Sequence, residues 1–207
     1  MHNELQHIFS RESQIRYGEN IQAVISYLKA GEKSSTLDKS DKHFKSEETT
    51  RLRAYIETNG LWRTDIDLNN YVSEGAEQKV YLKDSRSVVK LNDAIYYLSW
   101  VDYFTNLLLN NYFFPDTAYN LLGFFESESV VYAVVEQSFV EADEPTNLDF
   151  VEQFLNSNGF QKIRNNDYFN PELGIILEDL HDENVLTHKG VLYFIDTVFY
   201  LKETPFG

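Results

Sequence analysis

The stretch that most constrains this chain is a polar loop followed by a tight reversal. Asp179-Leu180-His181-Asp182-Glu183-Asn184 leads into Val185-Leu186, a turn at His188-Lys189-Gly190, and an apolar run from Val191 to Ile195 that stops at Asp196. Two short apolar runs around a glycine-containing turn predict a β-hairpin. Twelve residues separate Asn184 from Asp196, so the hairpin carries Asp196 back to the side of Asn184. The fold must therefore bring an amide and a carboxylate together at the open end of one hairpin, with Asp179 at the other end of the preceding loop.

What surrounds this segment is a packed domain. Hydrophobic residues make up 43% of the 207 positions and aromatics 15%, which suits a core and excludes a disordered chain. No apolar run reaches the roughly 18 residues of a membrane span. Met1 to Ser10 carries no basic-then-apolar leader pattern, so a cytoplasmic location and no membrane partner are expected. The absence of cysteine removes disulfides, cysteine zinc sites and cysteine nucleophiles. A net charge of −15 without a dense Lys/Arg cluster opposes nucleic-acid binding.

Along the chain, residues 11–30 read as an amphipathic helix with Ile15, Ile21, Val24, Ile25 and Leu28 on one stripe. Residues 31–45 read as a polar linker. A second helix is expected from a cap at Ser46, with Glu47 and Glu48 in its first turn, ending at Gly60. Strands are expected at Tyr71-Val72, Lys79 to Leu82 and Ser87 to Leu91, then a helix over 93–112, a hairpin about Ser127-Glu128-Ser129, a helix at Leu148 to Ser157, and short strands including Ile175 to Leu177. This order predicts an α+β fold with an antiparallel sheet. Residues 1–65 are expected as a helical extension with a linker, and 66–207 as the main domain.

Phosphoryl transfer needs a lysine against phosphate charge, hard oxygen ligands for magnesium, and a carboxylate on the acceptor hydroxyl. The chain holds such residues in kinase order. The region from Val72 to Leu201 resembles a reduced protein-kinase-like domain. Its Asp-Leu-His opening is similar to the catalytic loop of aminoglycoside phosphotransferases. The run from Leu180 to Tyr200 resembles the serine/threonine/tyrosine-kinase-like domains of bacterial polyvalent proteins, which belong to mobile elements.

The resemblance implies a truncated kinase-like fold: a five-stranded antiparallel N-lobe sheet with helices and a much reduced C-lobe. It implies ATP and Mg as cofactors. Gly75, Ala76 and Glu77 take the glycine-rich-loop position over the phosphates, and Lys90 takes that of the third-strand lysine. Glu136, Gln137 and Ser138 take the hinge position that binds adenine. Asp179 falls at the catalytic carboxylate, and Asn184 and Asp196 at the metal ligands. His181 is read as a structural hydrogen-bonding residue.

Several parts depart from the pattern. One glycine stands where two or three are usual. Leu177-Glu178 precedes Asp179, and Thr197-Val198 follows Asp196 in place of Phe-Gly. The helix over 93–112 contains no Glu to pair with Lys90, only Asp102. No peptide-binding lobe is expected within these residues, so the substrate platform would be a small-molecule pocket or a protein partner. The implied activity is kinase-like transfer to a hydroxyl; the alternative is a catalytically inactive pseudokinase-like interaction module.

Overall fold

The computed structural model describes Leu5, Ile8 and residues 14–31, 41–75 and 78–201, except for the side chains of 41–43. Helix α1 (Gly18–Ala30) starts after Tyr17, whose left-handed φ of 57° breaks the expected longer helix. It buries Ile21, Val24, Ile25 and Leu28, and Gly31 closes it by donating to the Tyr27 and Leu28 carbonyls. Helix α2 (Asp41–Asn59) starts earlier than expected. Ser46 is therefore not a cap: it lies inside the helix, and its carbonyl accepts the Thr50 hydroxyl. The expected linker shrinks accordingly, with 32–40 outside the described residues. Gly60, at φ 62°, ends α2 in a Schellman turn, its N–H on Glu57 and that of Leu61 on Ile56.

Strands β1 (Tyr71–Glu74), β2 (Gln78–Leu82), β3 (Ser87–Asn92), β4 (Asn120–Ser127) and β5 (Val130–Ser138) form one antiparallel sheet in the order β1-β2-β3-β5-β4. Helix α3 (Trp100–Phe113) intervenes between β3 and β4. It begins seven residues later than the pattern suggested. Asn92 and Asp93 side chains accept from the Ala94 and Ile95 N–H groups, Ala94 is left-handed, and Ser99 caps the helix by accepting from Asp102. Local polar bonds at 92–99 thus outcompete the apolar periodicity. At the β4 edge, Arg63 N–H donates to Phe124 and Phe124 N–H to Leu61. Gly123 permits this approach: at its φ of 147°, an added Cβ would lie 2.4 Å from the Leu61 carbonyl.

After β5 come helix α4 (Leu148–Ser157) and strands β6 (Gln161–Arg164), β7 (Asp167–Asn170) and β8 (Ile175–Glu178). The predicted hairpin follows as β9 (Val185–His188) and β10 (Val191–Phe194), with His188 opposite Val191. Lys189 (φ 51°) and Gly190 (φ 73°) form its two-residue turn, both left-handed as a type I′ turn requires. Strand β11 (Val198–Leu201), which the sequence did not suggest, pairs with β8 and completes a sheet ordered β11-β8-β7-β6.

A shared core joins these parts. Ile21 and Leu28 of α1, Leu52 and Ile56 of α2, Phe104 and Leu108 of α3, and Leu177, Val185 and Phe194 belong to the same buried cluster. The other face of the five-stranded sheet buries Tyr81, Val89, Leu91 and Val134 under Ile66. Among the described residues, no helix is long and apolar enough to cross a membrane.

Candidate active site

Two ladder ends close the loop at 179–184 against the turn at 195–197. Val198 of β11 lies opposite Glu178 of β8, so Asp179 and Thr197 leave that ladder side by side. Phe194 lies opposite Val185, and Ile195 N–H donates to the Asn184 carbonyl at 2.9 Å. The loop and the turn thus meet along one rim, with Asp179 beside Thr197 and Asn184 beside Ile195.

Lys90 reaches this rim from β3. Residues opposite one another in a sheet share a face, so Gln78, Val80, Lys90, Asn92 and Gln137 face inward, with the outer-face residues Val89 and Leu91 between them. Lys90 Nζ lies 2.5 Å from Asp196 Oδ1 and 3.4 Å from the Ile195 carbonyl. Its side chain is 4% exposed and that of Asp196 31%. A buried ammonium is costly unless paired, and Asp196 is that partner. The place expected for a helix-borne acid is not taken by Asp102, whose backbone N–H bonds the Ser99 cap at the start of α3.

The sequence reading did not include Gln78 or Tyr119 among the supports of this pair, and it gave Gln137 the hinge position. Gln78 Nε2 donates to Asp196 Oδ1 at 2.7 Å, and the Tyr119 hydroxyl contacts the same oxygen at 3.2 Å. Tyr119 also donates to the Ile195 carbonyl at 2.5 Å, with Gln137 Nε2 on that carbonyl at 3.0 Å. The Tyr119 hydroxyl is held well above the usual tyrosine pKa, first by burial and then by the Asp196 charge, so it stays a neutral donor. A signal for part of this set is present in the sequence: Asn106, Asn110 and Asn111 are amides inside an apolar helical run.

The other half of the rim is more open. Asp179, at φ 65°, sits at the start of the loop, in a conformation that Asp tolerates better than most residues. Asn184 Nδ2 donates to the Asp179 carbonyl at 2.8 Å and to Oδ2 at 2.9 Å. His181 Nε2 lies 3.2 Å from Asp179 Oδ1, and its Nδ1 accepts from Glu183 N–H. His181 thus serves in the loop's hydrogen bonding. Glu178 has Arg164 at 3.9 Å on its carboxylate, which answers the like charge beside Asp179.

The remaining positions are less involved. Gly75 stands in the β1–β2 turn, its N–H on the Gln78 carbonyl, and no atom of the described residues beyond its chain neighbours comes within 4 Å of the place of a Cβ. Ala76 and Glu77 lie outside the described residues. Glu136, Gln137 and Ser138 end strand β5, in register with Val89, Val88 and Ser87 of β3. Phe139, just past the strand, still donates its N–H to the Arg86 carbonyl at 2.8 Å. Glu136 pairs with Lys83 at 2.7 Å, and Gln137 is turned inward to Thr117 and Ile195. A cavity of about 690 Å³ lies elsewhere, among Phe113, Phe114, Phe154, Val191 and Tyr193.

An inward lysine on the third strand, tied to an Asp that follows a hairpin, beside a loop holding Asp and Asn, marks a kinase-like domain. The comparison with protein families supports this class: the family described as "Serine/Threonine/Tyrosine Kinase found in polyvalent proteins" matches residues 45–203. The chain belongs to that family. The match starts within α2, ahead of the sheet. Neither the comparison with curated proteins nor that with solved structures finds a match.

Proposed function

We propose that this chain is an ATP- and magnesium-dependent phosphotransferase acting on a hydroxyl acceptor, with a much reduced C-lobe. The observation that carries the reading is the buried Lys90–Asp196 pair, joined through Ile195 to Asn184. The donor set suits magnesium. Asp196 Oδ1 receives Gln78, Lys90 and Tyr119, while Oδ2 accepts no hydrogen bond among the described residues. Asn184 engages Asp179 through Nδ2, which leaves its Oδ1 without a donor among them. Magnesium commonly takes one or two protein oxygens and completes its shell with phosphate and water.

Bound there, the metal would neutralise charge on the transferred phosphoryl group. Lys90 would steady the phosphates, and the turn from Gly75 through Ala76 and Glu77 would cover them. The end of β5 at Glu136, Gln137 and Ser138 would approach the adenine edge. Asp179, held by the Asn184 amide, would orient the acceptor hydroxyl and take its proton. Millimolar Mg-ATP at about a hundredfold its Kd should raise Tm by roughly 5–10 °C, and Asp196→Ala should remove the shift. No shift in the wild-type chain overturns the proposal.

A second reading has its own observation. Both oxygens of Asp179 are already engaged, one by Asn184 and one by His181. That favours a pseudokinase-like module that binds nucleotide without transfer. Labelled phosphate passing from ATP to a hydroxyl acceptor, and lost in Asp179→Asn, would reject this alternative.

A further inference from the structure

Three buried asparagines on α3 bracket Asp196. Asn106, Asn110 and Asn111 are 4%, 0% and 1% exposed. Buried amides are costly unless bonded, and each of these is bonded to a segment that fixes Asp196. Asn111 holds Tyr119 by both backbone groups, accepting from its N–H at 2.7 Å and donating to its carbonyl at 2.8 Å. Tyr119 in turn donates to Ile195, touches Asp196 Oδ1 and places its ring 5.5 Å from Lys90 Nζ. On the other side of Asp196, the Thr197 hydroxyl donates to Asn110 Oδ1 at 2.9 Å. Asn106, with its amide oriented to satisfy its neighbours, donates to the Thr197 carbonyl at 3.2 Å and accepts from Phe199 N–H at 3.1 Å.

We propose that Tyr119, Thr197 and these α3 asparagines are the positioning residues of the site, doing together what a helix-borne glutamate on Lys90 would do alone. The helix acts on Asp196 and its flanking backbone instead of on the lysine. Thr197 is then not a defect where Phe is expected. It is the hydroxyl that locks the residue after Asp196 to α3. A displacement of α3 would move both sides of Asp196 at once, so α3 sets whether the site is assembled.

The role in metal binding rests on the phosphotransferase reading; the anchoring does not, and two measurements separate them. Wild-type protein, Tyr119→Phe, Thr197→Val and a control on the exposed side of α1, Tyr27→Phe, are compared. The first measurement titrates magnesium at fixed ATP and follows Tm. Tyr119→Phe and Thr197→Val should each raise the half-saturating magnesium about tenfold, the loss expected for one hydrogen bond at a charged site. Tyr27→Phe should leave it unchanged. The second follows amide hydrogen exchange from Asp196 to Phe199 without nucleotide, which should accelerate at least tenfold in the two site variants only. A wild-type chain that ignores Mg-ATP but shows this exchange pattern sinks the phosphotransferase reading and keeps the anchor. Unchanged exchange, or an unchanged magnesium requirement in a wild type that does bind, overturns the positioning role.

Discussion

The two halves of the candidate site are built differently. The Lys90–Asp196 half is enclosed: the lysine side chain is 4% exposed, and Gln78, Tyr119 and Gln137 crowd around the pair. The Asp179 half is an open loop, its carboxylate 58% exposed and held by Asn184 and His181 from within the same six residues. Long-range contacts fix the first half before any ligand arrives. The second is tied to Asp167 and Ile195 through its backbone. Its carboxylate is held only by neighbours in the loop, so the carboxylate is the part that can adjust to an acceptor. A phosphate-handling half gains from rigidity, because preorganised charges need no rearrangement as the reaction proceeds. An acceptor-facing carboxylate gains from access.

This contrast can be broken by experiment. The largest effect is expected at the open half. If the chain transfers phosphate, Asp179→Asn should lower the rate by about 10²- to 10⁴-fold, the usual contribution of a general base. Its stability should stay within about 0.5 kcal/mol of wild type, as for an exposed side chain, and the Mg-ATP shift should persist. A large loss of stability in urea unfolding would show that the loop is structural.

At the enclosed half the pattern should invert. Asp196→Asn leaves the Lys90 ammonium buried without its counter-charge and should cost about 1–3 kcal/mol in urea unfolding. Lys90→Met leaves Asp196, which is 31% exposed and keeps its contacts with Gln78 and Tyr119, and should cost less, about 1 kcal/mol or under. Equal losses in the two variants would mean that the pair is not the organising contact there.

The smallest effect concerns how α3 itself is held. Glu48 of α2 is buried and accepts from Trp100 N–H at 2.6 Å and Val101 N–H at 3.1 Å, capping α3 from a neighbouring helix. Lys45 of the same helix donates to the Ala94 and Tyr97 carbonyls just ahead of α3. Burial pushes the Glu48 carboxyl above its ordinary pKa, more than its two N–H bonds lower it. A raised carboxyl pKa means that the folded state holds the proton more tightly than the unfolded chain. Glu48's stabilisation is therefore complete below the unfolded value of about 4.5 and lost as pH rises through its folded value. Urea unfolding at pH 4 and pH 7 should show less pH dependence in Glu48→Gln than in wild type. An unchanged profile would remove Glu48 from the support of α3.

Much of this was legible in the sequence because it depends on near neighbours. The hairpin turn at Lys189-Gly190 needs positive φ at two successive residues, and Gly190 announces it. The strands at 71–91 and the helix at Leu148–Ser157 follow from local periodicity. The start of α3 was misread because the stripe of Trp100, Phe104 and Leu108 extends backward to Tyr97 and Tyr96 at helical spacing. Only the bonds of Asn92, Asp93 and Ser99 show that the chain turns first. Ser46 looked like a cap for the same reason: a cap is defined by what its oxygen bonds, and here the helix had already begun. Glu48 looked like a solvated first-turn acid, whereas its partners lie 52 and 53 residues away.

The sequence alone indicated the hairpin that returns the chain at Asp196 towards Asn184, because a two-residue turn is a local feature. It also supplied Lys90 in the right order. Only the tertiary structure decided what holds the rim of the site: Asp196 as the counter-charge of Lys90, Tyr119 and Gln78 on the same oxygen, and the α3 asparagines on either side. These are contacts between residues tens to more than a hundred positions apart. Their partners are chosen by packing and by the cost of leaving a buried polar group unbonded, and neither quantity is local in the chain.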